Sequence, residues 1–330
     1  MTVARKAAHR VRISFFKGHI PWNLPHFLHP VQRNCSINFS GISGSEQTQK
    51  MIIDCHVHLI TAKGYIDRLV QEMDKLGIEK VCLLAGQNNI KFWGARMASN
   101  EQLIEAYNAY PERIIPFGFV ELGADPPALI ETLYASGCRG LKVTRPRYNY
   151  NDDLLLDYYR RACAYNMPIL FHTGTVLRTD ADQYYDVDSS RMKPIYLDRI
   201  ARKFPALTLI GAHLGNPWYE EAAMTLFWNP NVYFDLSGSI LKRKNAAWFN
   251  ETLWWNQERM GKLAQSETTH YSTAPAHPFD RICFGSDVPI EEMEQVLGEY
   301  QRLFDELHLP EAIRKKVMGQ NMAEILSQQY

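Results

Sequence analysis

The sequence predicts an α/β protein whose single domain is a (β/α)8 TIM barrel, and three observations lead to this fold class. From Met51 onward, short apolar or β-branched runs alternate with longer stretches whose apolar residues recur at helical spacing. The alternation provides eight strand and helix pairs over about 280 residues, which is the size and rhythm of this barrel. No Gly-x-Gly-x-x-Gly follows the first strand, so the competing open sheet with a dinucleotide site has no support.

The strands are continuous apolar runs bounded by Gly and Pro, as expected for strands that are buried on both faces. Their helices carry clear end signals. The segment YIDRLVQEMDKLG ends at Gly77, and KPIYLDRIARKF begins with Pro194 in its first turn and stops before Pro205. The predicted strands are residues 51–59, 80–86, 114–120, 140–145, 168–174, 207–213, 232–238 and 282–287.

Residues 1–50 differ in character from the barrel segment, residues 51–330. They are rich in Arg and Lys, contain the single acid Glu46, and are interrupted by proline. An acid-poor, Arg-bearing leader fits a transit peptide. A start assigned too far upstream of Met51 is the interpretation we favour, because no cleavage signal is clear. Under either interpretation, we expect no chemistry from these residues and predict that they are disordered.

The stretch between Gly238 and Ile282 is longer than a single crossover helix requires. It contains Trp248, Trp254 and Trp255 and predicts an elaborated loop after the seventh strand, on the face where barrel enzymes keep their active sites. Two placements are open for this loop, one over a pocket and one against the side of the barrel.

The amino-acid composition restricts the classes of partner and the cellular compartment that we expect for this protein. The 36 basic and 36 acidic residues cancel, so neither nucleic acid nor an anionic membrane is the expected partner. No apolar run approaches the ~20 residues of a membrane-spanning helix. The six cysteines form no Cys-x-x-Cys pair, and several lie in apolar runs. We therefore expect the thiols to be buried and reduced and the protein to be cytoplasmic. The expected partner is a small-molecule substrate.

Polar residues with metal-binding chemistry occur where predicted strands end. His56 and His58 lie two residues apart on the first strand, so their side chains point the same way. His172 ends the fifth strand, His213 the sixth and Asp287 the eighth. Because polar residues at the C-terminal ends of barrel strands are typical of active sites, these five side chains predict a catalytic metal site.

The motifs DCHVH, FHTG, FPALTLIGAHLG, NVYFDLSG and FGSD, in this order from Met51 to the C-terminus, resemble the amidohydrolase superfamily. The resemblance is to its amidohydrolase-related branch, which also holds ACMSD-like decarboxylases and lactonases. It implies one divalent ion, Zn²⁺ or alternatively Mn²⁺, held by His56, His58, His172 and Asp287. It further implies that Asp287 takes a proton from metal-bound water, that His213 lies beside the metal as a catalytic group, and that a homodimer forms.

Lys142 on the fourth strand leaves two interpretations open. In binuclear members of the superfamily, a lysine on this strand is carboxylated and bridges two metals, and His213 would then become a ligand. The alternative, which we favour, is an amine that contacts a substrate carboxylate or pairs with an acid.

Substrate-binding candidates lie in the loops at the predicted mouth of the barrel. A guanidinium there can grip a carboxylate through two parallel hydrogen bonds. The candidates are Arg145, Arg178, Asn216 and Trp218, with Arg147, Tyr148 and Tyr150 as further loop residues.

Three functions compete. The first is hydrolysis of a lactone, ester or amide in a small, carboxylated substrate, in which metal-bound hydroxide attacks the carbonyl carbon. The second is non-oxidative decarboxylation of the ACMSD-like kind. FHTG and the stretch DADQYYDVDSS differ from what such decarboxylases carry, and this favours hydrolysis. The third is a non-catalytic binding barrel, which the full set of metal residues disfavours.

Overall fold

A computed structural model describes residues 51–184, 186–238, 241, 244–253 and 277–327, and eight parallel strands form its centre. The strands pair with one another in chain order, which is the order expected of repeated strand–helix units. These barrel strands, first to eighth, are Ile53–His58, Lys80–Leu84, Ile114–Phe119, Gly140–Val143, Ile169–Phe171, Leu209–Gly211, Val232–Asp235 and Ile282–Cys283.

The first strand also bonds to the segment that follows the eighth. The backbone N–H of Cys55 donates to the carbonyl of Phe284 at 2.9 Å, and that of Asp287 donates to the carbonyl of His56 at 2.8 Å. The predicted TIM-barrel fold is therefore confirmed. The eighth strand ends at Cys283 and is shorter than the predicted 282–287. The backbone then turns at Asp287, whose φ is 46°.

Helices connect successive strands, and their ends follow the signals in the sequence. The first helix ends at Gly77, which takes the left-handed conformation with a φ of 68°. The helix after the fifth strand runs from Tyr196 to Lys203, two residues after Pro194. The α-helices of the described residues are Tyr65–Leu76, Asn100–Ala109, Leu129–Ala135, Leu156–Ala164, Tyr196–Lys203, Tyr219–Trp228, Ala246–Leu253, Met293–Glu306, Glu311–Lys315 and Asn321–Ser327, with a π-helix at Lys316–Gln320.

Two apolar clusters hold the barrel together. The larger one packs strand side chains such as Val57 and Leu83 against the helices. The smaller, inner cluster combines Cys55, Cys82 and Cys283 with apolar neighbours. The five described cysteines are free thiols. Since thiols in apolar surroundings behave as small hydrophobes, packing explains the three cysteines of the inner cluster.

Part of the predicted elaborated loop is described. Its helix Ala246–Leu253 packs on the helix Tyr219–Trp228, and the ring of Trp248 lies 4.9 Å from that of Tyr219. The described part therefore lies against the side of the barrel. Trp254 and Trp255, like the predicted leader 1–50, lie outside the described residues. None of the described helices is both long and apolar enough to cross a membrane.

Candidate functional site

The first strand brings two histidines to the mouth of the barrel through a β-bulge. Its pairing with the second strand gains one residue between Asp54 and Val57. A regular strand would direct Cys55 and His56 to opposite faces, but the extra residue lets both point inward. The Nε2 atoms of His56 and His58 consequently lie 3.3 Å apart.

Asp287 approaches both histidines from the end of the eighth strand. Its Oδ1 lies 3.4 Å from His58 Nε2 and 3.8 Å from His56 Nε2. The positive φ of Asp287 and its backbone bond to His56 direct the carboxylate back over the first strand. Two nitrogens and one carboxylate thus converge on one point.

His213 approaches the same point from the sixth strand. Its Nε2 lies 3.7 Å from Asp287 Oδ2. His56, His213 and Asp287 each offer one ligand atom, and the three atoms lie within 4.8 Å of one another. The backbone of His213 is left-handed, with a φ of 60°, and such strained residues cluster at functional sites.

His172 lies beside this group with its ring turned partly away. Its ring centroid is 4.8 Å from that of His213, while its Nε2 lies 3.2 Å from the carbonyl of Thr175. Tyr150, a substrate-binding candidate, is fully buried and donates to the backbone carbonyl of His172 at 2.9 Å. Tyr150 therefore positions the end of the fifth strand.

Asp235, at the end of the seventh strand, is a site residue that the sequence analysis missed. It is fully buried, and its Oδ2 accepts a hydrogen bond from His56 Nδ1 at 2.8 Å. Its Oδ1 accepts from the backbone N–H of His213 at 2.9 Å and from the hydroxyl of Ser237 at 2.5 Å. The signal was present in VYFDLSG, since this carboxylate also ends a barrel strand.

The hydrogen bonds of Asp235 determine which nitrogens carry protons. Burial raises the pKa of Asp235, but His56, His213 and Ser237 outweigh it and hold that pKa below its usual range. The carboxylate accepts the Nδ1–H of His56 and the only hydroxyl proton of Ser237. Ser237 Oγ, 2.9 Å from His213 Nδ1, therefore accepts from that nitrogen. Both rings then present the lone pair of Nε2 to the site.

The donor set suits a divalent cation. Burial, with a further contribution from Lys142, lowers the pKa of His56 to about 3. Burial likewise lowers the pKa values of His58, His172 and His213. Neutral imidazoles with free lone pairs next to a carboxylate are the ligands that Zn²⁺ and similar ions prefer. The residues present therefore fit the metal implied by the sequence.

Lys142 lies at the edge of this group. The residue is 2% exposed, and its Nζ is 3.1 Å from His56 Nε2. Burial lowers the pKa of Lys142 to about 8, against the opposing effect of the Asp287 and Asp235 carboxylates. Its amine is thus within reach of the proposed ligand atoms, a position compatible with both interpretations of this lysine.

A cavity of about 430 Å³ opens above these groups. Arg145 and Asn216 line it together with His58, Lys142, His172, His213 and Asp287. The side chain of Arg145 is only 11% exposed. Its Nη2 donates to the carbonyl of Leu177 at 2.9 Å. Its Nε has no hydrogen-bond partner among the described residues, but it forms an ion pair with Asp182, whose Oδ1 lies 3.9 Å away.

The other loop candidates lie elsewhere. Among the described residues that line the cavity, neither Arg178 nor Trp218 is found. Arg178 is exposed, and the Trp218 ring lies beneath the Lys193 ammonium, which is 5.3 Å from its centroid. Arg147 pairs with Glu121 at 3.2 Å, and Tyr148 is 40% exposed.

The family model for amidohydrolases matches residues 53–327. The chain belongs to the amidohydrolase family. This membership confirms the resemblance that the strand-end motifs indicated, and it covers every described strand of the barrel. No curated protein matches the chain in sequence.

Solved structures similar to this chain share its fold at low identity. A TIM-barrel protein from Bordetella bronchiseptica is 18% identical with a TM-score of 0.59, over 84% of this chain and 99% of that one. A dihydroxybenzoic acid decarboxylase from Polaromonas sp. JS666, with bound manganese, is 17% identical with a TM-score of 0.57, over 85% and 98%. A candidate 2-pyrone-4,6-dicarboxylic acid hydrolase from Pseudomonas putida is 16% identical with a TM-score of 0.51, over 85% and 98%.

Proposed function

We propose that this chain is a metal-dependent hydrolase that cleaves a lactone, ester or amide in a small carboxylated substrate. The observation that carries the proposal is the convergence of His56 Nε2, His58 Nε2 and Asp287 Oδ1 within 3.8 Å of one another at the mouth of the barrel. His172 is the proposed fourth ligand, and Zn²⁺ is the proposed ion, with Mn²⁺ as the alternative. A divalent ion held there would polarise a carbonyl oxygen and activate water near neutral pH.

Asp287 and His213 are the proposed catalytic groups. Asp287 is 12% exposed at its side chain, so its carboxylate can accept a proton from water and return it to the leaving group. Neutral His213 presents the lone pair of Nε2 at 3.7 Å from Asp287. His213 is therefore suited to relay that proton.

The cavity supports a small anionic substrate. Its volume of about 430 Å³ is at the lower end of the range for small-molecule sites. Arg145 contributes a largely buried guanidinium whose Nε lies 3.9 Å from Asp182 Oδ1 and has no hydrogen-bond partner among the described residues. A carboxylate of the substrate would satisfy that Nε, and charge-assisted bonds of this kind are stronger than neutral ones.

Non-oxidative decarboxylation is the second candidate. Apolar side chains of Ile90, Met97 and Val288 line the same cavity, and loss of water around a carboxylate favours release of carbon dioxide. The structurally similar proteins carry both decarboxylase and hydrolase names, so that likeness does not choose between the reactions.

The first experiment is elemental analysis of the purified full chain beside a His56→Ala/His58→Ala variant. We expect about one divalent ion per chain, lost in the variant. About two ions would support a carboxylated, bridging Lys142 with His213 as a ligand. No ion after reconstitution with zinc or manganese would contradict the proposal and favour a non-catalytic binding barrel.

The reaction is then tested on the metal-loaded chain. A panel of lactones, esters and aromatic carboxylates is followed for ring opening and for release of carbon dioxide. Ring opening or acid release without carbon dioxide is the expected result. Release of carbon dioxide alone would contradict hydrolysis and support decarboxylation as the reaction of this chain.

A further inference from the structure

A two-residue hairpin turn places two aromatic rings at the cavity. The strands Lys91–Phe92 and Ala95–Arg96 pair in antiparallel fashion with Phe92 opposite Ala95. Trp93 and Gly94 alone form the turn between them. The hairpin is tied to the barrel by a bridge between Ile60 and Met97.

The backbone at Trp93 is in a conformation that its side chain disfavours. Trp93 has a φ of 49° and Gly94 a φ of 82°, which are the signs of a type I′ turn. Such turns favour Asn, Asp or Gly at the first central position, and a bulky residue there is an outlier. A strained residue that is kept at the wall of a cavity points to a functional reason for its side chain.

The rings of Phe92 and Trp93 pack against each other next to the proposed metal ligands. The ring centroids of Phe92 and Trp93 are 4.4 Å apart with an interplanar angle of 33°. They lie 5.3 Å and 6.2 Å from the ring of His58. Both residues are half-buried and line the cavity that also contains Arg145.

We propose that Phe92 and Trp93 form a stacking platform that selects a planar, conjugated ring carrying a carboxylate. The proposal rests on the proposed function, because it assigns a substrate class to the same cavity. The ring of the substrate stacks on the platform, and its carboxylate pairs with Arg145. Phe92 and Trp93 are thus specificity-determining residues, and they take no part in bond cleavage.

The test compares two ligands of equal charge that differ in planarity. Dissociation constants for benzoate and cyclohexanecarboxylate are measured by NMR titration of the metal-loaded full chain without turnover. We expect benzoate to bind roughly 2- to 10-fold more tightly than cyclohexanecarboxylate, as stacking predicts. Equal affinities in the wild-type chain would overturn the proposal.

Two substitutions at Trp93 distinguish the effect of its ring on ligand binding from its effect on the conformation of the hairpin turn. Asn and His both tolerate the left-handed conformation, so Trp93→Asn and Trp93→His are each expected to keep the hairpin and the bound metal. Trp93→Asn should lower the preference for benzoate, because only the Phe92 ring then remains, and Trp93→His should lower it less. An unchanged preference in Trp93→Asn would overturn the proposal.

Trp228→Asn is the matched control, because Trp228 is 37% exposed and is absent from the described lining of the cavity. The Trp228→Asn variant should keep the full preference for benzoate. If this variant lost that preference, the assignment of the preference to Phe92 and Trp93 would be overturned. The proposed function fails separately. If the chain prefers benzoate but hydrolyses none of the tested substrates, the platform proposal stands and the hydrolase proposal fails. If the chain is a hydrolase with no preference for benzoate, only the platform proposal fails.

Discussion

His56 Nδ1 donates to Asp235 Oδ2 at 2.8 Å, joining the first strand of the barrel to the seventh. The eighth strand lies between the two in the sheet, so this contact crosses the interior of the barrel. Both side chains are fully buried. The bond holds the proton of His56 on Nδ1 and directs Nε2 to the proposed metal position, which makes Asp235 a positioning residue.

Asp235→Asn should weaken metal binding about 10- to 100-fold, because the amide no longer fixes the protonation of His56 Nδ1. Competition with a chelator of known affinity measures the change. Asp198→Asn is the matched control, since Asp198 pairs with Arg202 on a helix at 2.9 Å. Equal metal affinity in wild type and Asp235→Asn would contradict the positioning role.

His172→Ala and His213→Ala should differ in what they lose. Under the proposed ligand set, His172→Ala lowers the bound metal, whereas His213→Ala keeps it and lowers turnover by roughly 10²- to 10⁴-fold. Metal content and turnover are measured on the same preparations. The opposite pattern would make His213 a ligand, in agreement with its grouping with His56 and Asp287 within 4.8 Å.

The metal-free chain should become less stable as the pH falls from about 6.5 towards 3. Burial lowers the pKa of His56 to about 3 from 6.5, so over this range the unfolded chain binds a proton that the folded chain does not. For this one group the free energy of unfolding changes by at most about 1.4 kcal/mol per pH unit. Burial also lowers the pKa values of His58, His172 and His213, which act in the same direction.

Asp54 opposes this trend. Burial raises its pKa from 3.8 to about 7, so its contribution to stability is present at low pH and is lost as the pH rises through that interval. Urea unfolding with a chelator at several pH values measures the sum. His56→Gln should flatten the pH dependence, and the exposed control His308→Gln should not. A wild-type chain that gains stability on acidification would contradict the histidine assignment.

Arg145→Lys should raise KM about tenfold for a carboxylated substrate with little change in kcat. The substitution keeps the charge but removes the guanidinium fork, and it leaves the chemical step untouched. Arg178→Lys is the matched control because Arg178 is exposed and lies outside the described lining of the cavity. Equal KM values for both variants would place the substrate carboxylate away from Arg145.

Local patterns were sufficient to predict the barrel and most of the strand-end residues. Continuous apolar runs such as ILF before His172 can be buried on both faces only in a parallel sheet covered by helices. Parallel strands place all their C-terminal ends at one mouth, so His56, His58, His172, His213 and Asp287 could be grouped before any distance was known.

Only the tertiary structure decided which of those residues touch and how they are held. The bulge between Asp54 and Val57 depends on pairing with the second strand, and the Asp235–His56 bond depends on barrel closure. Arg145 and Arg178 look alike in the sequence, yet one is buried at the cavity and the other is exposed. Burial, protonation and contact depend on residues far apart in the chain, whereas strand periodicity depends on near neighbours. The near neighbours therefore determined the fold class, and the closed barrel determined the site.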